Sequence, residues 1–118
     1  MNKQIAKARF LAARVPTPQH VLASAEDAHK RARRFAKRLG SPIVVKPNCQ
    51  GSSIGVSIVH KLDELETAVD KALACDDSIL IEEAIIGREF SIPVIGARSY
   101  PVVEIATANT FFDYEAKY

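Results

Sequence analysis

Tryptophan is absent from this 118-residue chain, and aromatic residues together make up only 7% of it. Cysteine is nearly absent too. Cys49 and Cys75 stand alone, in no CxxC pattern and with no histidine at metal-ligand spacing, which excludes a disulfide scaffold and a zinc site. His20, His29 and His60 are scattered and read as surface residues, so no metal centre is expected among them. No apolar run approaches the ~20 residues that a membrane-spanning helix needs, and no membrane association is expected. The opening stretch MNKQIAKARF lacks the apolar segment and small-residue cleavage site of a secretory signal, so the expected compartment is the cytoplasm. Internal repeats and low-complexity linkers are missing as well. A net charge of +2 is too mild to argue for nucleic acid by itself.

What is present is ordinary for one globular domain: 47% hydrophobic and 25% charged residues, in a length able to bury its own core. An apolar-periodic stretch from about Lys3 to Ala13 predicts a first helix. Val15-Pro16-Thr17-Pro18 ends it, because proline cannot continue a helix and restricts the residue before it. Ser24-Ala25-Glu26-Asp27 has the form of a capping box and predicts the start of a second helix. Ala28, Ala32, Phe35, Ala36 and Leu39 fall on one face of it, with Gly40 as its C-cap. The period then changes. Ile43-Val44-Val45 predicts a buried strand ending at Lys46-Pro47.

A polar loop, Asn48 to Gly55, leads into a second strand over Val56–Val59. Leu62, Leu65, Ala68, Val69, Ala72 and Leu73 predict the third helix, the clearest of the three. Strands are expected at Ile79–Ile81 and Phe90–Val94, and after a turn near Gly96-Ala97 at Tyr100–Ile105. Pro93 donates no backbone hydrogen bond, which places its strand at an edge or a bulge. Irregular alternation with hairpin-like strand pairs argues for an α+β fold, helices on one face of a mainly antiparallel sheet.

The loop Asn48-Cys49-Gln50-Gly51-Ser52-Ser53-Ile54-Gly55 carries the chemistry. Two glycines four apart with two hydroxyls between them leave backbone amides free to approach phosphate oxygens closely. It is neither a P-loop nor a dinucleotide fingerprint, since no Gly-Lys-Ser/Thr follows and the loop enters a strand. Alone, such a loop is more often only a turn. Lys46 at its entrance changes the balance, because burying a lysine is costly without an anionic partner. Glu82 and Glu83 follow the apolar strand Ile79-Leu80-Ile81, and Glu89 follows Gly87. Carboxylates at such positions can accept from an adenine amino group or ribose hydroxyls, or simply be solvated strand ends. Phe111-Phe112-Asp113-Tyr114-Glu115-Ala116-Lys117-Tyr118 mixes aromatic and charged residues in a way no core strand needs.

Met1-Asn2-Lys3, Ile43-Val44-Val45-Lys46-Pro47, Gly51-Ser52-Ser53-Ile54-Gly55, Ile79-Leu80-Ile81-Glu82-Glu83, Gly87-Arg88-Glu89-Phe90 and Asp113 to Tyr118 occur in that order. In this, essentially the whole chain resembles the ATP-grasp core of the D-alanine–D-alanine ligases. The resemblance implies an ATP-grasp central subdomain over residues 1–118, part of a larger ligase whose preceding and following catalytic portions are not in this stretch. It implies that Lys3 and Lys46 neutralise ATP phosphates and that Ser53 contacts them in the loop. Glu82, Glu83 and Ile85 match the strand and hinge that hold the adenine, and Glu89 matches the ribose acceptor. Ser52 and Tyr118 match a hydrogen-bonded pair lining the D-alanine site, and Lys117 a lysine on the transferred phosphate.

In that family ATP phosphorylates the carboxylate of one D-alanine, and the amine of a second attacks the acylphosphate, in peptidoglycan synthesis. Positioning and positive charge help phosphoryl transfer most, and lysines with loop amides supply both. The implied cofactors are ATP and Mg2+, the metal ligands being expected outside this chain. The implied partners are ATP and D-alanine, and the parent is expected to be a homodimer. This stretch alone is expected to lack ligase activity. Asn2 and Gln50 depart from acidic residues that the family often carries there. Lys46 is expected to matter more than Lys3, which lies near a terminus able to fray.

Two other readings compete. One is a different ATP-grasp carboxylate–amine ligase, including a D-alanine–D-lactate type; the Glu-Ala-Lys-Tyr run ending at Tyr118 favours the D-alanyl-D-alanine product. The other is a basic, non-catalytic binding module. Lys30, Arg31, Arg33, Arg34, Lys37 and Arg38 place six basic residues within nine positions. The apolar stripe of the same helix accounts for that spacing, and only Phe35 is interleaved, so no nucleic-acid partner is expected.

Overall fold

The β-branched run after Gly40 forms the strand its composition predicts. In the computed structural model, which describes residues 2–106, β2 spans Ile43–Pro47 and is followed by β3, Ser57–Val59. The chain divides after Ile85 into two units.

In the first unit, α1 spans Lys3–Ala12, and the Asn2 side chain caps it by accepting the Ile5 amide at 2.9 Å. It ends where Arg14 turns left-handed (φ 57°) and the Val15 amide closes on the Phe10 carbonyl, just before Pro16. β1, His20–Ser24, follows. The sequence reading places no strand here, since five residues between a Pro-rich turn and a polar turn show too little alternation to announce one. Ser24 is therefore the last residue of a strand and not a helix cap. α2 begins later, at Ala28, and runs to Leu39. Asp27 carries the turn instead: its carboxylate accepts the Ser24 amide at 3.0 Å and pairs with Arg31 one turn on. Gly40 closes the helix as expected, with φ +82° and its amide on the Ala36 carbonyl at 2.8 Å.

The third helix is shorter than its apolar period. Leu62–Glu64 forms a 3-10 turn and α3 spans Leu65–Leu73, leaving Leu62 exposed. The Glu64 carboxylate accepts the His60 and Lys61 amides at 3.0 and 3.1 Å, and these bonds fold the chain into the tighter turn. β4, Ser78–Glu83, then enters the sheet between earlier strands. The order is β1-β4-β2-β3, with every neighbouring pair antiparallel.

Strand alternation gives this sheet two different faces. Ala23, Ile43, Val45, Val59, Ile79 and Ile81 point to one side, where Ala28, Ala32, Phe35 and Ala36 of α2 and Leu65, Ala68, Val69 and Ala72 of α3 cover them. The registers Val44↔Glu82, Lys46↔Leu80 and Leu22↔Leu80 set those side chains on the opposite face. Alanines at the helix contacts let α2 and α3 lie close on the sheet. The second face receives α1 through Lys7, which is buried.

The second unit holds β5 (Glu89–Ser91) paired with β8 (Val103–Ile105), and β6 (Val94–Ile95) paired with β7 (Arg98–Ser99). The expected strand Phe90–Val94 is thus divided, and Tyr100–Ile105 is shortened to Val103–Ile105, with an unexpected short strand at Arg98–Ser99 before it. Pro93 and Pro101 interrupt them, having no amide to give a ladder. The turn is at Gly96-Ala97 as expected, with Gly96 at φ +62°.

Candidate functional site

Four side chains converge on the second sheet face of the first unit. Glu82, only 6% exposed, gives one carboxylate oxygen to Lys46 of β2 and the other to Lys7 of α1 at 2.8 Å. Lys7 Nζ also donates to Thr17 Oγ1 at 2.8 Å and to the Pro18 carbonyl at 3.2 Å. Lys3, one turn before Lys7, sends its ammonium to the carbonyls of Pro47 and Gln50 at 2.7 and 2.5 Å. Burial and, after it, the neighbouring Lys46 ammonium push Lys3 below the usual lysine range. Three lysines against Glu82, with Asp76 also acting on Lys3, leave an excess of positive charge, which is the electrostatics of an anion site.

The loop beside these lysines is pinned at its base. Asn48 is buried; its amide donates to the Ser78 carbonyl, and its side-chain oxygen accepts the Gln4 amide at 3.0 Å. The Cys49 amide donates to Asp76 at 2.6 Å, and the Gln50 side chain to the Cys75 carbonyl at 2.9 Å. Beyond that base the backbone turns left-handed at Ser52 (φ 48°), Ser53 (φ 59°) and Gly55 (φ 70°). Left-handed backbone costs a non-glycine residue about 1–2 kcal/mol. These two serines are the central pair of a turn that the Ile54 amide closes on the Gly51 carbonyl at 3.1 Å, in a conformation usually left to Gly, Asn or Asp. A Cβ at Gly55 would stand 2.7 Å from Pro47 Cγ and 3.1 Å from Cys75 Sγ, so only glycine lets the loop close onto β2.

Of the residues singled out from sequence, the fold brings together Lys3, Lys46 and Glu82, with Ser52 and Ser53 on the adjoining loop. Lys3 is not at a fraying end: its amide donates to the Asn48 carbonyl at 3.0 Å and its ammonium is docked, so the reason for ranking it below Lys46 does not hold. Glu83 alternates to the other sheet face from Glu82, with its amide on the Gln19 carbonyl. Ile85 is exposed at the end of the first unit. Glu89 begins β5 in the second unit, opposite Ile105. Lys117 and Tyr118 lie outside the described residues.

Lys7 was not foreseen, although its spacing of four from Lys3 puts both on one helical face and is the signal that finds it. Among the described residues no group of three or more metal-ligating side chains occurs, and Cys49 and Cys75 are not joined in a disulfide. His20 and His29 are half-buried and not simply at the surface; His29 sits between Glu66 at 2.8 Å and Asp70 at 3.1 Å. On α2, Arg31 pairs with Asp27, Arg33 with Glu66, and Arg38 lies over the Phe35 ring, so half of the basic run serves the fold.

A family model described as the D-ala D-ala ligase C-terminus matches residues 11–118. The chain belongs to the D-alanine–D-alanine ligase family. A D-alanine–D-alanine ligase of Geobacter sulfurreducens is 42% identical over 119 residues, covering 100% of this chain and 36% of the relative. One of Actinobacillus succinogenes is 48% identical over 81 residues, covering 69% and 26%. The chain thus spans about a third of the length of these ligases or less.

Among solved structures, the VanG D-Ala:D-Ser ligase of Enterococcus faecalis superposes with a TM-score of 0.85 at 30% identity, over 100% of this chain and 35% of that one. The Bacillus anthracis D-alanine–D-alanine ligase complexed with ATP gives 0.78 at 28% identity, over 94% and 36%. This family member therefore has the α+β fold of the ATP-grasp ligases. No helix among the described residues is long and apolar enough to cross a membrane.

Proposed function

We propose that this chain is the nucleotide-holding portion of an ATP-dependent ligase that joins two D-alanines, for cell-wall peptidoglycan. The observation that carries this reading is Lys46 on Glu82 with Lys3 docked beside it on the loop carbonyls, next to a loop with left-handed Ser52 and Ser53. The lysines supply charge for a triphosphate and the loop supplies backbone amides. Glu82, as a carboxylate, accepts from a base carrying an amino group. Residues 1–118 form the central ATP-grasp portion; the family resemblance gives Glu83 and Ile85 the roles of strand and hinge for the base, Glu89 that of ribose acceptor, and Lys117 and Tyr118 roles toward the transferred phosphate and the amino acid.

The reaction is two displacements. A D-alanine carboxylate oxygen attacks the γ-phosphorus and ADP leaves. The amine of the second D-alanine then attacks the acyl carbon, loses a proton, and expels phosphate. Mg2+ would neutralise phosphate charge in this reaction, and because no cluster of ligands for it occurs among the described residues, its ligands would come from elsewhere in the ligase. The protein works in the cytoplasm as a homodimer.

The test has two parts. Calorimetry of the chain with ATP should show saturable binding that Lys46→Met weakens. The full-length protein, given ATP with D-alanine and D-lactate in competition, should form D-alanyl-D-alanine with one phosphate released per dipeptide. Absence of ATP binding, or preference for the lactate ester near neutral pH, overturns the corresponding half of the reading.

A further inference from the structure

Lys46 and Glu82 are already bonded to each other, which poses a problem for any anion that is to use Lys46. Glu82 is almost entirely buried, and a buried carboxylate stripped of its partner is strongly disfavoured. If Lys46 were its only counter-charge, moving that ammonium toward a phosphate would strand the carboxylate. The second carboxylate oxygen, however, is held at 2.8 Å by Lys7, whose own side chain is only 8% exposed. Lys7 is held in place beside Glu82 by its hydrogen bonds to Thr17 Oγ1 and the Pro18 carbonyl. Lys46 is the looser of the two lysines, with a side chain 19% exposed and attached at the strand end next to the loop.

We propose that Lys7 is the standing counter-ion of Glu82, a positioning residue that allows Lys46 to leave Glu82 and engage the phosphates of the bound nucleotide. Lys7 touches neither base nor phosphate in this role. It keeps Glu82 compensated while Lys46 is shared with the ligand, so that the charge made available to the triphosphate is that of Lys46. The inference rests on the nucleotide reading above and assigns a role to a residue that reading does not use.

The experiment measures binding of ATP and of inorganic tripolyphosphate, which has no base, to the protein and its variants by calorimetry. Lys7→Met should weaken tripolyphosphate roughly tenfold or more, the scale of losing one charge-assisted contact. Lys7→Arg should retain binding. Glu82→Gln removes the buried charge that needs compensation, so adding Lys7→Met to Glu82→Gln should cost little further affinity. A general loss of positive potential would be screened at about 0.5 M salt, whereas displacement of a buried pair persists there.

Lys7→Met binding tripolyphosphate like the unaltered protein overturns the proposal. So does an equal loss with and without Glu82→Gln, because Lys7 would then not act through Glu82. Should Lys7→Met fail to fold, which its melting curve shows, the comparison of Glu82→Gln with Glu82→Gln/Lys7→Met decides alone. If the unaltered protein binds tripolyphosphate and ATP but Lys7 proves indifferent, only this inference falls. If it binds neither, the nucleotide reading falls with it.

Discussion

The Lys3 ammonium lies 2.5 Å from the Gln50 carbonyl, fastening the first residue of α1 to the glycine loop 47 positions away. A second bond at 2.7 Å, to the Pro47 carbonyl, makes the attachment two-pronged. Lys3→Met should therefore loosen the loop and not merely remove a charge. Amide exchange over Gly51–Gly55 should accelerate, and unfolding stability should fall by about 1–2 kcal/mol, the low end for losing bonds to a charged donor at a half-exposed site. Unchanged exchange in that loop would show that the docking does not order it.

The same lysine has a definite pH signature. Burial, then Lys46, lowers its pKa, so between its folded and unfolded values the unfolded chain binds more protons. Stability should then rise with pH through a window just below the ordinary lysine value of about 10.4. Lys46→Met removes the second cause and should move the Lys3 titration upward while leaving the effect of burial. Carbon-detected NMR at Lys3 Cε reads this directly. No movement would mean that the two ammoniums do not sense each other.

Glycine substitutions separate strain from crowding. Gly55→Ala meets both, with φ +70° and a Cβ 2.7 Å from Pro47 Cγ, and should cost about 2–4 kcal/mol. Gly40→Ala has open space around it but meets a backbone of φ +82° and ψ −168°, a region essentially restricted to glycine, and should cost about 1–3 kcal/mol. Gly51→Ala has neither problem and should be nearly neutral. Denaturant melts of the three variants check the order; Gly51→Ala proving the worst would contradict the loop's geometry.

Leu80 and Ile81 are adjacent, both fully buried, and point to opposite sheet faces. Truncating either to alanine should cost about 2–5 kcal/mol of stability. Ile81→Ala opens space under α2 and α3 and should leave ATP affinity alone in the folded fraction. Leu80→Ala undercuts the face where its cross-strand neighbour Lys46 stands, and should weaken ATP binding as well. Equal effects on affinity would mean that the two faces are not functionally distinct.

Much of this was legible in the chain. The α2 stripe from Ala28 to Leu39, the Gly40 cap, the strand at Ile43 and the Gly96-Ala97 turn follow from period and turn chemistry, which act over a few residues. Where local signals were short or compound, the reading slipped. His20–Ser24 is a strand because β4 pairs with it along its whole length, a partner that lies 54 to 62 positions away in sequence by the registers Ser24↔Ser78 and His20↔Glu82. Ser24-Ala25-Glu26-Asp27 has the letters of a capping box, yet that pairing takes Ser24 for the sheet. Pro93 divides a strand whose side-chain pattern alone runs through it, and Pro101 delays the start of the next to Val103.

The site divides in the same way. Lys3, Lys46, Glu82, Ser52 and Ser53 were marked by residue type and by resemblance, because a motif preserves which residues are present and at what spacing. Which of them meet was decided by the fold. Insertion of β4 between β1 and β2, with the alternation of its side chains, turns Glu82 toward Lys46 and Lys7 and turns Glu83 away. Sequence determined the helices, the strand cores and the loop, since these depend on neighbours a few positions apart. Tertiary structure alone decided that Lys7 faces Glu82, because a contact across 75 positions is set by sheet order and helix docking, which no local pattern encodes.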